Sequence, residues 1–318
     1  MAILIAADDA PALVKARADV VCSGTNDQAG FAAAFGYGDT VEASEGTFWL
    51  SAPIVMNGGG KSLRGSGPNT VLRFAPNLAG GDMEGIYGSV RGTSISDLTI
   101  DGDRENQSSS HVHYGIWLNE NNLNWTPKMQ GCVISNVTLL RIGTCGVYWV
   151  KANNSVLSNV HCRDVGNFGG AMAALHLHNS HYNAIHGCVV SDASIGLRLV
   201  GSSRNAVGAS IFRQIDDEGV IFDGEGCYEN VLAGCVIAHA GGPNVRLQAG
   251  AARNLVNGDM ITEASQDANE AQPSVLVEAN GNNLSQCLIT PGLTANQPSE
   301  AIFENGYSLA YNQNDVRS

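Results

Sequence analysis

Ile134-Ser135-Asn136-Val137 and Leu157-Ser158-Asn159-Val160 are one phrase written twice, and its recurrence decides the fold. An apolar residue, one or two small polar residues and a closing apolar residue or pair return at Ile95-Ser96-Asp97-Leu98, Ile185-His186-Gly187-Cys188-Val189, Leu232-Ala233-Gly234-Cys235-Val236 and Leu284-Ser285-Gln286-Cys287-Leu288. With Asn136, Asn159, Cys188, Ser210, Cys235, Asp259 and Cys287 taken as equivalent, the steps are 23, 29, 22, 25, 24 and 28 residues. A short, steady period of this kind marks a solenoid. No step has room for a long amphipathic helix, and the apolar residues alternate two apart, so each repeat is a coil of β-strands.

A second phrase fixes which side chains point outward. It reads Gly115-Ile116-Trp117-Leu118, Gly146-Val147-Tyr148-Trp149, Ala174-Leu175-His176-Leu177, Gly196-Leu197-Arg198-Leu199, Gly219-Val220-Ile221-Phe222 and Asn244-Val245-Arg246-Leu247. If the flanking aliphatics face the core, the period of two puts Trp117, Tyr148, His176, Arg198, Ile221 and Arg246 outside as a stripe. Asn119, Val150, His178, Val200, Asp223 and Gln248 form a parallel stripe two residues further on. An extended ligand lying across both is the expectation. Trp149 is expected in the core.

The 318 residues are read as one elongating solenoid with no second core. An N-terminal cap segment occupies 1–40, the β-helix 41–300 and a C-terminal strand or tail 301–318. The 38 Gly against 9 Pro suit many tight turns. A net charge of -13 excludes a phosphate-backbone partner, so no nucleic acid is expected. No stretch approaches the roughly 20 apolar residues of a membrane helix. Met1 to Ala7 lacks a basic n-region, so no secretory signal is read. The eight cysteines, three of them at one repeat position, read as buried thiols.

Two stretches read as helix, 9–18 and 25–35. Thr25 and Gln28 have capping-box spacing before Phe31-Ala32-Ala33-Ala34-Phe35. A helix here would cover the apolar end and open strand edges of the first coil. Long steps mark loops: Asp101 to His113, Glu120 to Gln130 with Trp125, Val165 to Ala171, and Gln266 to Pro273. The first three flank the coils carrying Trp117, Tyr148 and His176, where a rigid scaffold places its function.

Ser23-Gly24-Thr25-Asn26-Asp27-Gln28, Glu45-Gly46-Thr47-Phe48, Ser51-Ala52-Pro53-Ile54 and Leu63-Arg64-Gly65-Ser66-Gly67 resemble the opening of pectate-lyase-like proteins. The branch is the one holding rhamnogalacturonase-like enzymes, sugar epimerases and phage tailspike depolymerases, and the likeness spans roughly residues 20–290. It implies an all-β fold: a single-stranded right-handed parallel β-helix with a short N-terminal capping helix. The implied function is binding and cleavage of an extracellular, acidic polysaccharide. The likeness to tailspikes, together with the missing signal, implies a virion component acting outside the cell, as a homotrimer; otherwise the place is the cytoplasm.

Two chemistries compete. In β-elimination on a uronic acid, Arg198 would neutralise the carboxylate, His176 or His178 would take the C5 proton and Tyr148 would protonate the leaving oxygen. In hydrolysis two carboxyl groups are needed, and Asp192, Asp216, Asp217, Glu218 and Asp223 supply them, with Asp217 and Asp223 the candidates. Asp216-Asp217-Glu218 before Gly219 is similar to the polygalacturonases' Asp-Asp, but Gly241-Gly242-Pro243-Asn244 stands where their Gly-His-Gly belongs. The loop Asp101-Gly102-Asp103-Arg104 is similar to one in alginate epimerases, whose Asp-Pro-His-Glu motif is absent near Trp149-Val150-Lys151-Ala152. Trp117, Asp101, Asp103, Lys151 and Arg246 are the candidate sugar contacts. Ca²⁺ at Asp101 and Asp103 is an added candidate, weighed against a turn-stabilising role. No cofactor is required, and His111, His113, His176 and His178 lack a third ligand at fixed spacing, so no metal site is assigned. The alternative is a non-catalytic polysaccharide-binding or structural virion protein. An ice-binding solenoid would need ranks of Thr, which the stripe lacks.

Overall fold

The computed structural model describes residues 1–78, 82–89, 91–107, 112–119, 131–166, 172–264, 272–291, 301–306, 309–312 and 315–316. Trp125, His111 and the Glu120 to Gln130 excursion lie outside the described residues, as do parts of the other three predicted loops. The chain divides into two compact units, Met1–Gly170 and Ala171–Ser318. Both are built of short parallel strands stacked coil on coil.

In the first unit, Ser94–Asp101, Val133–Ile142 and Val156–Val165 pair in parallel, with Ile95, Ile134 and Leu157 aligned in the first two steps as the repeated phrase requires. A second wall stacks Ile54–Met56, Met83–Gly88, His113–Asn119 and Cys145–Val150. In the second unit each coil contributes three strands. Leu175–His178, Leu197–Val200, Val220–Asp223, Val245–Leu247, Val275–Val277 and Ile302–Glu304 form one wall. The stacks starting at Ala184–His186 and Val189–Ala193 form the others. Leu309–Asn312 and Asp315–Val316 extend those walls, so the coils continue past the point where the sequence period fades.

The core is the alternating aliphatic set, with Ile86, Ile116, Val147 and Trp149 fully buried in the first unit and Leu175, Leu197, Val220 and Val245 in the second. Corners are made by residues in the left-handed region. Asp97, Asn136 and Asn159 take φ of 59°, 54° and 51°, where short polar side chains are tolerated. In the second unit the matching corners are Gly187, Ala209, Gly234, Gly258 and Gln286, each one residue before Cys188, Ser210, Cys235, Asp259 and Cys287. The equivalence drawn from sequence therefore joins two neighbouring positions. Both are small or polar, so spacing alone does not separate them.

Polar ladders lock the register. Asn159 donates to Asn136 Oδ1 (3.2 Å) and Asn136 to Asp97 Oδ1 (3.0 Å). In the second unit Asn183, Asn205, Asn230, Asn254 and Asn282 are buried, each of the first four amides donating to the side-chain oxygen of the next at 2.9–3.1 Å. All eight cysteines are buried thiols.

The N-terminal segment is part strand. Ile3–Ala6 pairs in parallel with Thr40–Ala43 and with Val20–Val21, so stacking begins at the third residue. Of the two predicted helices, the first is only Ala12–Lys15 and the second runs Gln28–Tyr37, burying Phe31 and Phe35. The expected capping box is not formed. Asp27 instead takes the backbone N–H groups of Ser23, Gly24 and Trp49, and Gln28 reaches Ser51. None of the described helices is long and apolar enough to cross a membrane.

Candidate functional site

The outer face of the first unit carries a variant of the second phrase that begins one coil earlier than the sequence reading recognised. Glu84-Gly85-Ile86-Tyr87, Tyr114-Gly115-Ile116-Trp117 and Cys145-Gly146-Val147-Tyr148 stack with Glu84 opposite Tyr114, Tyr114 opposite Cys145, and Tyr87, Trp117 and Tyr148 in one row. The glycine is required. A Cβ on Gly85 would lie 2.7 Å from the Gly115 carbonyl oxygen, and one on Gly115 2.7 Å from that of Gly146. Pairing passes over the glycine, so Tyr114 and Trp117 are both half-exposed while Ile116 and Leu118 are buried.

Four rings consequently form one surface. Tyr87 meets Trp117 edge-on at 5.7 Å, Tyr114 lies 5.0 Å from Trp117, and Tyr148 stands 5.7 Å from both Trp117 and Tyr114, stacked on the latter. Such flat, half-exposed apolar faces with a polar rim suit the C–H faces of sugar rings. The Trp117 indole N–H is buried and meets no acceptor among the described residues. Glu84 stands half-buried at the edge of this floor, its carboxyl pushed above the usual range by burial and by the charge of Asp82. Tyr148 stays a protonated phenol, raised by burial and by Cys145.

The second unit places its candidates differently. His176 aligns with Arg198, and Arg198 with Ile221, as the stripe predicts, but His176 and Ile221 are each only 5% exposed. Ile221 packs with Ala173 and Ile195. Burial, reinforced by Arg198 and His178, pushes His176 down to about 3, so it is a neutral imidazole at physiological pH; the His178 ring is 6.5 Å away. Arg198 donates to Asp223 Oδ2 through Nε (2.8 Å) and again through Nη2. Arg246 bridges Glu218 (2.8 Å) and Glu278 (2.9 Å). Asp217 lines a cleft of about 320 Å³ with Asp216, Glu218, Gly242, Arg246 and Gln272. Gly241 and Gly242 lie against Asp216 and Asp217, where any Cβ would collide.

Asp101 and Asp103 are both buried rather than presented on the surface. Asp101 is 4% exposed and is the hub of an arginine cluster, taking Arg73 at 2.6 and 3.0 Å, Arg141 Nε at 3.0 Å and the Asp103 backbone N–H at 3.1 Å. Burial alone would raise its pKa, yet the Arg141 and Arg73 hydrogen bonds hold the carboxyl below the usual range. Asp103, at φ 48°, accepts from Asn106. Asp103 thus serves the turn, whereas Asp101 is held mainly by the two arginines of neighbouring coils. Lys151 sits half-exposed at a left-handed corner (φ 58°). His113 is buried edge-on against Phe74. Among the described residues no three His, Cys, Asp or Glu side chains are grouped to hold a metal ion.

The sequence reading missed Glu84, Tyr87, Tyr114, Arg73, Arg141 and the asparagine ladder. Gly85-Ile86-Tyr87 was a usable signal for the first two, because it repeats the Gly-aliphatic-aromatic phrase already recognised at 115 and 146.

Residues 114–290 match the family described as right-handed β-helix region. A search of curated proteins finds no match. Among solved structures, the A-module of an Azotobacter vinelandii mannuronan C-5 epimerase is similar at 15% identity, covering 94% of both chains with a TM-score of 0.56. A protein of Geobacillus virus E2 aligns over 93% of this chain and 58% of its own at 13% identity and a TM-score of 0.66. The catalytic domain of a GH87 α-1,3-glucanase in complex with nigerose aligns over 93% of this chain and 64% of its own, at 13% identity and a TM-score of 0.56. At these identities the likeness is one of fold.

Proposed function

The chain belongs to the right-handed β-helix family, and from that premise we propose that it binds a polysaccharide along its outer strand face and cleaves it by glycoside hydrolysis. The observation that carries this is the four-ring floor of Tyr87, Tyr114, Trp117 and Tyr148 with a carboxyl group at its edge. Structural likeness to an α-1,3-glucanase domain and a mannuronan epimerase module supports a sugar polymer as ligand. Hydrolysis is favoured over elimination because elimination needs a cation for the uronate. Arg198 and Arg246, the two arginines of the stripe, are committed to Asp223 and to Glu218 and Glu278. Hydrolysis by a carboxyl pair needs no metal, so Ca²⁺ has no step in it.

A second reading, a virion protein that adheres to polysaccharide outside the cell as a homotrimer without cleaving it, is favoured by the likeness to the Geobacillus virus protein. Reducing-end release from a polysaccharide panel, with mass spectrometry of products, tests both. Hydrolysis gives intact sugars, and elimination gives fragments lighter by one water. Binding with no release supports the adhesive protein.

A further inference from the structure

Resting on the proposed hydrolysis, we propose that Glu84 is the proton donor and Asp82 the base of a site floored by Tyr114, Trp117 and Tyr148, and that its substrate is an uncharged pyranose polymer.

Position comes first. Glu84 is in parallel register with Tyr114, the ring that contacts both Trp117 and Tyr148, so it borders the floor from the preceding coil, on the side where we place the linkage of a stacked sugar. Asp82, two residues earlier and exposed, takes the Val112 N–H on Oδ1 (3.0 Å) and so is held at the same edge with Oδ2 uncommitted by that bond. Burial foremost, and the charges of Asp82 and Glu84 among the lesser causes, raise the Tyr114 phenol, so both carboxyl groups act near that ring. Their environments differ in the way acid and base require: Glu84 is half-buried beside a negative neighbour and keeps its proton more readily, whereas Asp82 faces water.

The step balances with water as co-reactant. The bond from C1 to the bridging oxygen breaks with its electron pair on oxygen, which takes the Glu84 proton. Water oxygen bonds to C1 and its proton passes to Asp82. Exchange with solvent restores both groups.

Charge selects the substrate. The half-exposed residues of strands Met83–Gly88, His113–Asn119 and Cys145–Val150 are Glu84, Tyr87, Tyr114, Trp117, Asn119, Tyr148 and Val150. The one ionisable carboxyl among them is Glu84, neutral while it holds its proton; the adjoining Asp82 is an anion at the same edge, and Lys151, next to Val150 at the opposite strand end, is a cation. A uronate would meet the Asp82 carboxylate at this edge, whereas neutral hydroxyls meet carboxyl groups able to accept their hydrogen bonds.

The test uses the full chain, a panel of neutral and uronate polysaccharides, and a 2,4-dinitrophenyl glycoside of the sugar released. Glu84→Gln should cut release from the neutral polymer by about 100-fold or more, bind that polymer as before in affinity electrophoresis, and still cleave the dinitrophenyl glycoside, whose leaving group needs no proton. Asp82→Asn should slow both substrates. Polymer cleavage by Glu84→Gln within a few-fold of the parent, or equal loss on both substrates, overturns the assignment of Glu84. Cleavage confined to uronate polymers overturns the substrate class. No release from any polymer removes the hydrolase proposal itself and this one with it.

Discussion

Asp259→Asn should stabilise the protein above about pH 6 and leave it unchanged at pH 4. In the second unit Cys188, Ser210, Cys235 and Cys287 each donate to the carbonyl two residues back, at 2.9–3.7 Å. Asp259 occupies the same column, 1% exposed, accepting the Cys235 N–H on Oδ1 (2.6 Å) while Oδ2 meets no hydrogen-bond partner among the described residues. An ionised carboxylate cannot donate to Asn257 as its neighbours donate, and burial pushes its pKa from 3.8 up to about 6. Because the raised value belongs to the folded state, folding binds a proton between these two values. The contribution of Asp259 to stability is therefore most favourable below pH 3.8, falls as pH rises to about 6 and stays reduced above it. At about 1.4 kcal/mol per tenfold, the penalty at neutral pH is on the order of 3 kcal/mol. Asparagine keeps the acceptor for Cys235, supplies the donor and carries no charge. Urea unfolding of both proteins from pH 4 to pH 8 reads the difference directly, since shifts at Asp97 and Asp101 cancel between them. A difference that does not grow with pH would refute the explanation.

Three other outcomes follow from the contacts. Asn230→Ala orphans the buried Asn205 N–H and Ser202 carbonyl, at about 1–3 kcal/mol each, so urea unfolding should show a loss of roughly 2–6 kcal/mol; a loss under about 1 kcal/mol would mean that the ladder does not hold register. Trp117→Ala should weaken polysaccharide binding about tenfold in affinity electrophoresis with little change in melting temperature, its ring being half-exposed. Arg198→Ala should lower the melting temperature by stranding Asp223, and Arg198→Ala with Asp223→Ala should recover part of the loss; full stability with abolished cleavage would return Arg198 to the chemistry.

The fold was legible because a coil must bury alternate residues and turn at fixed points, and both demands write a period into the chain. Ile95, Ile134 and Leu157 align where that period places them, and Trp149 is buried as expected. The slip between Asn159 and Cys188 arose because either of two adjacent corner positions can be small and polar. The capping box failed for a different reason. Spacing records local partners, whereas Asp27 and Gln28 are claimed by Trp49 and Ser51, more than twenty residues away.

The site was legible only by row. Alternation identifies the outward-facing strand residues but is silent on what covers them and on which charges meet. His176 faces outward by period yet is buried, and Arg198 and Arg246 are cations by sequence but neutralised pairs in space. The same limitation hid the aromatic floor. Tyr114 lies before the glycine, off the alternating stripe, and turns outward only because backbone pairing passes over Gly115. The outer row of the first unit is thus aromatic and acidic, while the arginines of the second unit's row are paired, and the proposed ligand follows from that difference. A face whose arginines are already satisfied gains little from a uronate, while a floor of four rings gains from any pyranose that can lie flat on it.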